Sequence, residues 1–183
     1  MARRGSWLAA VLLTGLLVSH EGRADSPHYR LEQGVELGPR MESVIARIAR
    51  EFHRRTGRGI VVTSGTRTPR EQAEAMYEKL RLGQSLTRLY RDYGAAAEIQ
   101  AAYRAHRREG RAACVAAMAR VIDAQVRRGL YVSRHLHASA ADVRSRDMSR
   151  RERRIFEQIV RSMPEVSLLP EGVPPHFHLQ LDR

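Results

Sequence analysis

Eight histidines occur in the 183-residue chain, and four of them fall in two tight clusters, His135 with His137 and His176 with His178. Asp142 follows His135 by seven positions. Two imidazoles and one carboxylate that leave a coordination position open are the ligand set of a catalytic zinc rather than a structural one. Seven residues rise about 10 Å on a straight helix and would span about 23 Å on a strand. The chain must therefore fold back between His135 and Asp142 if they are to share an ion, and the small residues Ala138-Ser139-Ala140 permit that turn. His176 and His178 alternate at period two, so on a strand both point to one face, and one can bind a metal while its neighbour faces a substrate. The same patterns also fit plainer roles. An H-x-H pair suits an alternating strand with partly exposed histidines, and Asp142 suits a turn or cap.

The elements that must position these residues follow from periodicity and caps. Asp25 to Gly38 is polar and reads as irregular. Pro39 opens a helix with Met41, Val44, Ile45, Ile48 and Phe52 on its inner face, ended by Gly57 and Gly59. Ile60-Val61-Val62-Thr63 reads as a buried strand, and Ser64 to Arg67 as the turn after it. Thr68, Pro69 and Glu71 supply an N-cap, a first-turn proline and a capping-box partner for a second helix to about Leu82. The alanine- and arginine-rich stretch 84–129 reads as helical throughout, with one apolar stripe from Cys114 through Val126. Cys114 on that stripe reads as an inert buried thiol.

Leu130-Tyr131-Val132-Ser133 and Ala140-Ala141-Asp142-Val143 are strand candidates, and Ser149 with Glu152 caps a further helix. Val166 to Leu181 reads as a closing hairpin with the H-x-H pair on its last strand. The expected fold is α+β: a small antiparallel sheet carrying the metal site, packed with several helices, in a single domain over residues 25–183.

At the other end, Arg3 and Arg4 precede the apolar run Trp7–Val18, and small residues follow around Gly22-Arg23-Ala24. That is the pattern of a cleaved secretory signal over residues 1–24, and the apolar run is shorter than the roughly 18–20 residues that span a bilayer. Export to the periplasm or the medium, without a stable membrane span, is the expectation. Lys79 is the only lysine among 32 basic residues, which stand against 20 acidic ones. Losing residues 1–24 lowers the net charge from +12 to +10. Such charge favours polyanions such as nucleic acid, anionic lipid or an acidic wall polymer. The arginine-rich stretch 104–111 has no interleaved aromatic beyond Tyr103, and no helix-turn-helix or RNA-binding signature occurs, which argues against a nucleic-acid binder.

Ser133-Arg-His135-Leu-His-Ala138-Ser-Ala140-Ala-Asp142 resembles the S-x-H-x-x-G-x-A-x-D signature of the zinc D-alanyl-D-alanine metallopeptidases, the LAS group of VanY-like carboxypeptidases and murein endopeptidases. Ser64-Gly65-Thr66-Arg67-Thr68 with Gln72 resembles that family's upstream element, and Pro175-His176-Phe177-His178 its closing H-x-H. The three elements stand in family order across roughly Ser64 to Leu181. The resemblance implies zinc on His135, Asp142 and His178, with His176 beside the zinc-bound water as base or oxyanion stabiliser. It further implies that Arg67 polarises the scissile carbonyl, while Gln72 and Ser133 contact substrate or support the ligands. On this basis 84–129 is a helical insertion between the first two motifs.

The sequence departs from the family in three places. Ala138 replaces the usual glycine. Pro175 stands where the VanY-type branch has a glutamate base, with Glu171 nearby but out of register. Val173 replaces a further histidine of some H-x-H members. His137 is a second choice for the base. The expected activity is zinc-activated hydrolysis of a D-Ala-containing bond in peptidoglycan stem peptides, at a chain end or inside a crosslink. The alternative is a module of the same fold that holds wall peptide without cutting it.

Overall fold

The computed structural model describes residues 28–182; the proposed signal segment 1–24 lies outside them. The chain forms β1 (Tyr29–Leu31), α1 (Pro39–Thr56), β2 (Ile60–Ser64), α2 (Pro69–Arg81), α3 (Leu86–Leu89), α4 (Tyr93–His106), α5 (Arg111–Arg127), a 3₁₀ turn (Arg134–His137), β3 (Ala140–Arg144), α6 (Arg150–Arg161), β4 (Val166–Gly172) and β5 (Pro175–Leu181). Helices and a five-stranded sheet in the order β1-β2-β3-β5-β4 make this an α+β fold. Among the described residues no helix is long and apolar enough to cross a membrane.

Local chemistry sets the ends of these elements. Thr68 and Ser149 each close a full capping box, with Glu71 and Glu152 respectively. Gly57 ends α1 in the left-handed conformation that suits glycine. The β4–β5 hairpin pairs with β3 antiparallel, placing His178 opposite Asp142 and His176 opposite Arg144.

Period two then sorts the sheet into two faces. Val62, Val143, Phe177 and Leu179 point to one side and are buried against α1 and α6. There Phe156 stacks on Phe177 with ring centroids 4.9 Å apart, and Phe52 meets Phe156 edge-on. Truncating Phe177 to alanine would cost about 3–5 kcal/mol. Asp142, His178, His176 and Glu171 occupy the opposite face. A second apolar cluster, built by α2, α3, α4, α5 and Val132, stands beside it.

Four expectations need correction. The sheet is mixed rather than wholly antiparallel, because β1 pairs with β2 in parallel. Residues 29–31, expected to be irregular, supply that strand. Stretch 84–129 is three helices, interrupted at Tyr90–Asp92 and at Arg107–Gly110, where Gly110 takes φ +94. Leu130–Ser133 is not a strand: Val132 is buried in the helical cluster and Ser133 caps the 3₁₀ turn, so the backbone pairs with no sheet edge.

Candidate metal centre

Asp142 sits midway along β3 and is 6% exposed. His135 reaches it through the fold-back that the spacing requires. Ser133 caps the 3₁₀ turn carrying His135, and Ala138, left-handed at φ 51 and ψ 25, then swings the chain into β3. The Nε2 of His135 thereby lies 3.3 Å from Asp142 Oδ1. Across the sheet, His178 Nδ1 lies 2.9 Å from the same oxygen. One ligand atom from each of His135, Asp142 and His178 falls within 4.8 Å of the others, so these residues can hold a metal ion.

The donor set fits a tetrahedral ion. Ligands at about 2.0–2.1 Å in tetrahedral geometry stand roughly 3.3 Å from one another; His135 Nε2 stands at 3.3 Å from Asp142 Oδ1, and His178 Nδ1 somewhat closer at 2.9 Å. The tautomer fits too. His135 Nδ1 lies 2.6 Å from the carbonyl of Gly65, an acceptor only, so that nitrogen carries the hydrogen and Nε2 keeps its lone pair.

Burial pushes the His135 imidazole below its ordinary pKa, although Asp142 opposes that. For Asp142, burial alone would raise the pKa, but the neighbouring His135 and His178 and the charge of Arg67 hold it well below the usual carboxylate range. A neutral imidazole beside an ionised carboxylate is the protonation pattern that metal ligation requires.

The remaining expected residues lie close by. His176 points its Nε2 at the centre, 3.7 Å from Asp142 Oδ1, while its Nδ1 donates to the Pro174 carbonyl at 2.7 Å. Arg67 donates to Ser64 Oγ at 2.9 Å, Gln72 Oε1 at 3.4 Å and Asp142 Oδ2 at 2.8 Å. A guanidinium has five N–H donors, so two remain uncommitted. Gln72 is fully buried beneath Arg67 and bonds Tyr90 as well; it holds Arg67 rather than lining the cleft. Ser133 lines the cleft and its hydroxyl accepts from the His135 backbone N–H. His137 is exposed against Tyr131, ring to ring at 4.8 Å, and takes no part in the cluster. Cys114 is buried in the helical cluster, where desolvation raises its pKa, so it is a poor thiolate.

Two further residues reach the site, Glu171 and Lys79, and the motifs assign neither a role. Glu171, out of register by motif, stands directly across the hairpin from His176, with Oε2 3.7 Å from His176 Nε2. Lys79 of α2 pairs with Glu171 at 2.9 Å. Burial works to raise the Glu171 pKa, but Lys79 and then the two histidines bring it below the ordinary value. Tyr90 is pushed up to about 12, chiefly by burial, and remains a neutral phenol. The β-pairing register was the signal for Glu171; nothing in the spacing pointed to Lys79.

His135, Asp142, His178, His176, Arg67, Glu171 and Lys79 line one cleft of about 2090 Å³ between the sheet face and the helical cluster. The chain matches no protein-family model, no curated protein and no solved structure.

Proposed function

We infer that the protein is an exported zinc peptidase that hydrolyses a D-Ala-containing bond of peptidoglycan stem peptides. The observation that carries this reading is the convergence of His135, Asp142 and His178 on the floor of a large cleft, with Arg67 beside them. The resemblance of the three motifs to the LAS group supports the choice of metal and substrate. The basic surface suits a carboxylate-bearing wall polymer.

When bound, zinc would lower the pKa of a coordinated water to about 7 and supply a nucleophile near neutral pH. The chain's own groups account for the remaining chemistry. Asp142 stays ionised and His135 neutral, as ligation demands. The two uncommitted N–H groups of Arg67 donate to the scissile carbonyl oxygen and to the negative charge that grows on it. His176, its hydrogen fixed on Nδ1 by Pro174, presents a bare Nε2 that accepts the proton of the attacking water. The carboxylate of Glu171 stabilises the imidazolium so formed, and Lys79 holds Glu171 in place. The proton then passes from His176 to the leaving amine as the C–N bond breaks.

The test uses purified protein, zinc and isolated muropeptides. Zinc-dependent release of D-alanine or shortened stems, abolished by His178→Ala in a protein that still folds, is the expected result. Tight zinc binding with no turnover on any stem peptide would instead make the protein a holding module.

A further inference from the structure

The geometry points to a site that cuts within an extended, carboxylate-bearing peptide, with chain held on both sides of the scissile bond, rather than one that trims a chain end. This rests on the peptidase reading above. Three observations carry it.

The first is the position of the centre. His178 is the middle residue of the seven in β5, and the cleft runs the whole strand, from Pro175 at the hairpin end to Leu181 and Asp182 at the other. A strand rises about 3.3 Å per residue, so the floor extends roughly 10 Å to either side of His178. That is room for about three extended residues each way. The residues at both ends, Pro174 and Pro175 at one and Arg40 and Asp182 at the other, are exposed, so neither end is walled off.

The second is size. Sites for single small molecules occupy about 300–1,000 Å³, and this cleft is roughly twice the upper figure.

The third is the placement of charge and apolar surface. Among the described residues Arg40, Arg91, Arg134 and Arg146 line the cleft with no ion-pair partner. Arg40 and Arg134 flank Ala138, beside the C-terminal end of β5: Gly38 abuts Ala138, and Leu181 donates to Ser139. Arg146 lies at the opposite end, next to Ser145, which donates to Pro175. A site reading one terminal carboxylate needs a cation on one side of the metal only. Free cations at both ends match a ligand with carboxylates along its length. Apolar side chains rise on both walls. Leu82, Leu89, Leu130 and Tyr131 come from the helical side, and Leu169 and Val173 from the hairpin; all are exposed. They suit the methyl groups of a small-residue peptide.

Three versions of one stem peptide test the inference: the free D-Ala-D-Ala acid, its C-terminal amide, and a form extended by further residues. Affinity for the metal-free protein is measured by calorimetry, and cleavage by the zinc-loaded protein by mass spectrometry. The extended form is expected to bind at least as well as the free acid and to be cut internally. Arg40→Gln and Arg146→Gln, at opposite ends, are each expected to weaken its binding by up to about fivefold, as for partly exposed ion pairs. A free acid preferred tenfold or more in both assays, or an effect from only one of the two arginines, overturns the inference and leaves the peptidase reading standing. If no form is bound or cut, the peptidase reading falls and the inference with it.

Discussion

Gly65→Ala connects packing to metal affinity in one substitution. A Cβ built on Gly65 would lie 1.9 Å from the carbonyl oxygen of Glu36 and 2.9 Å from Leu37 Cδ2. Ordinary C···O contacts are about 3.3 Å or longer, so the two backbones must separate by more than about 1 Å. That Glu36 oxygen accepts the Thr66 N–H at 2.8 Å, and the Gly65 carbonyl accepts His135 Nδ1–H at 2.6 Å. Overpacking costs about 1–3 kcal/mol and each lost hydrogen bond about 1. A destabilisation of about 3 kcal/mol follows, which for a chain of this size lowers Tm by about 10 °C. Zinc affinity should fall 10- to 100-fold, because His135 loses the partner that fixes its ring.

The assays are thermal unfolding of the metal-free protein and zinc titration by calorimetry. Gly94→Ala is the control: its Cβ meets nothing closer than 3.6 Å, so it should be neutral or stabilising by up to about 1 kcal/mol. A lowered Tm with unchanged zinc affinity would refute the orienting role of Gly65. An unchanged Tm would refute the packing at this turn.

Three further outcomes are expected. Arg67→Ala leaves the nearly buried Asp142 without its cation; the metal-free protein should lose roughly 2–3 kcal/mol, less than a fully buried pair because Arg67 is partly exposed, and zinc should restore much of it, as chemical denaturation with and without metal will show. Turnover by this variant should drop about 10²–10³-fold even when zinc-loaded. Ala138→Gly should gain roughly 0.5 kcal/mol, since relief of about 1–2 kcal/mol of left-handed strain outweighs the added freedom of the unfolded glycine; a fall in Tm would contradict this. As for pH, burial holds His135 below its ordinary value of 6.5, so under mildly acid conditions the unfolded chain takes up the proton first. The metal-free protein should therefore be fully stable above that value and lose stability as pH falls below it, whereas His135→Asn should lack this slope; identical Tm–pH curves for the two would contradict the assignment.

Much of this arrangement was legible because the relevant signals are local. The capping boxes at Thr68 and Ser149, the 3.6-residue stripe of α1 and the alternation of β5 are each complete within a few residues. The turn at Ala138 was implied by the distance that His135 and Asp142 have to close. What was not legible depends on pairing between distant segments. β1 is three residues long and becomes a strand only because β2 offers it a parallel edge. Leu130–Ser133 has strand-like composition, but Val132 finds more burial among the helices. Alanine-rich sequence conceals the breaks in 84–129: the first is marked only by the Asp92 cap of α4 and the second by Gly110. Glu171 and Lys79 meet at the site through the hairpin register and the reach of Lys79 from α2 to β4, and neither is written in local spacing.

X-ray absorption at the zinc edge of the purified protein tests whether His135, Asp142 and His178 hold zinc. One zinc per chain is expected, with only nitrogen and oxygen neighbours at about 2.0–2.2 Å, and loss of the ion in His178→Ala. A protein that binds no zinc, or a sulfur shell at about 2.3 Å that would place Cys114 on the metal, would contradict it.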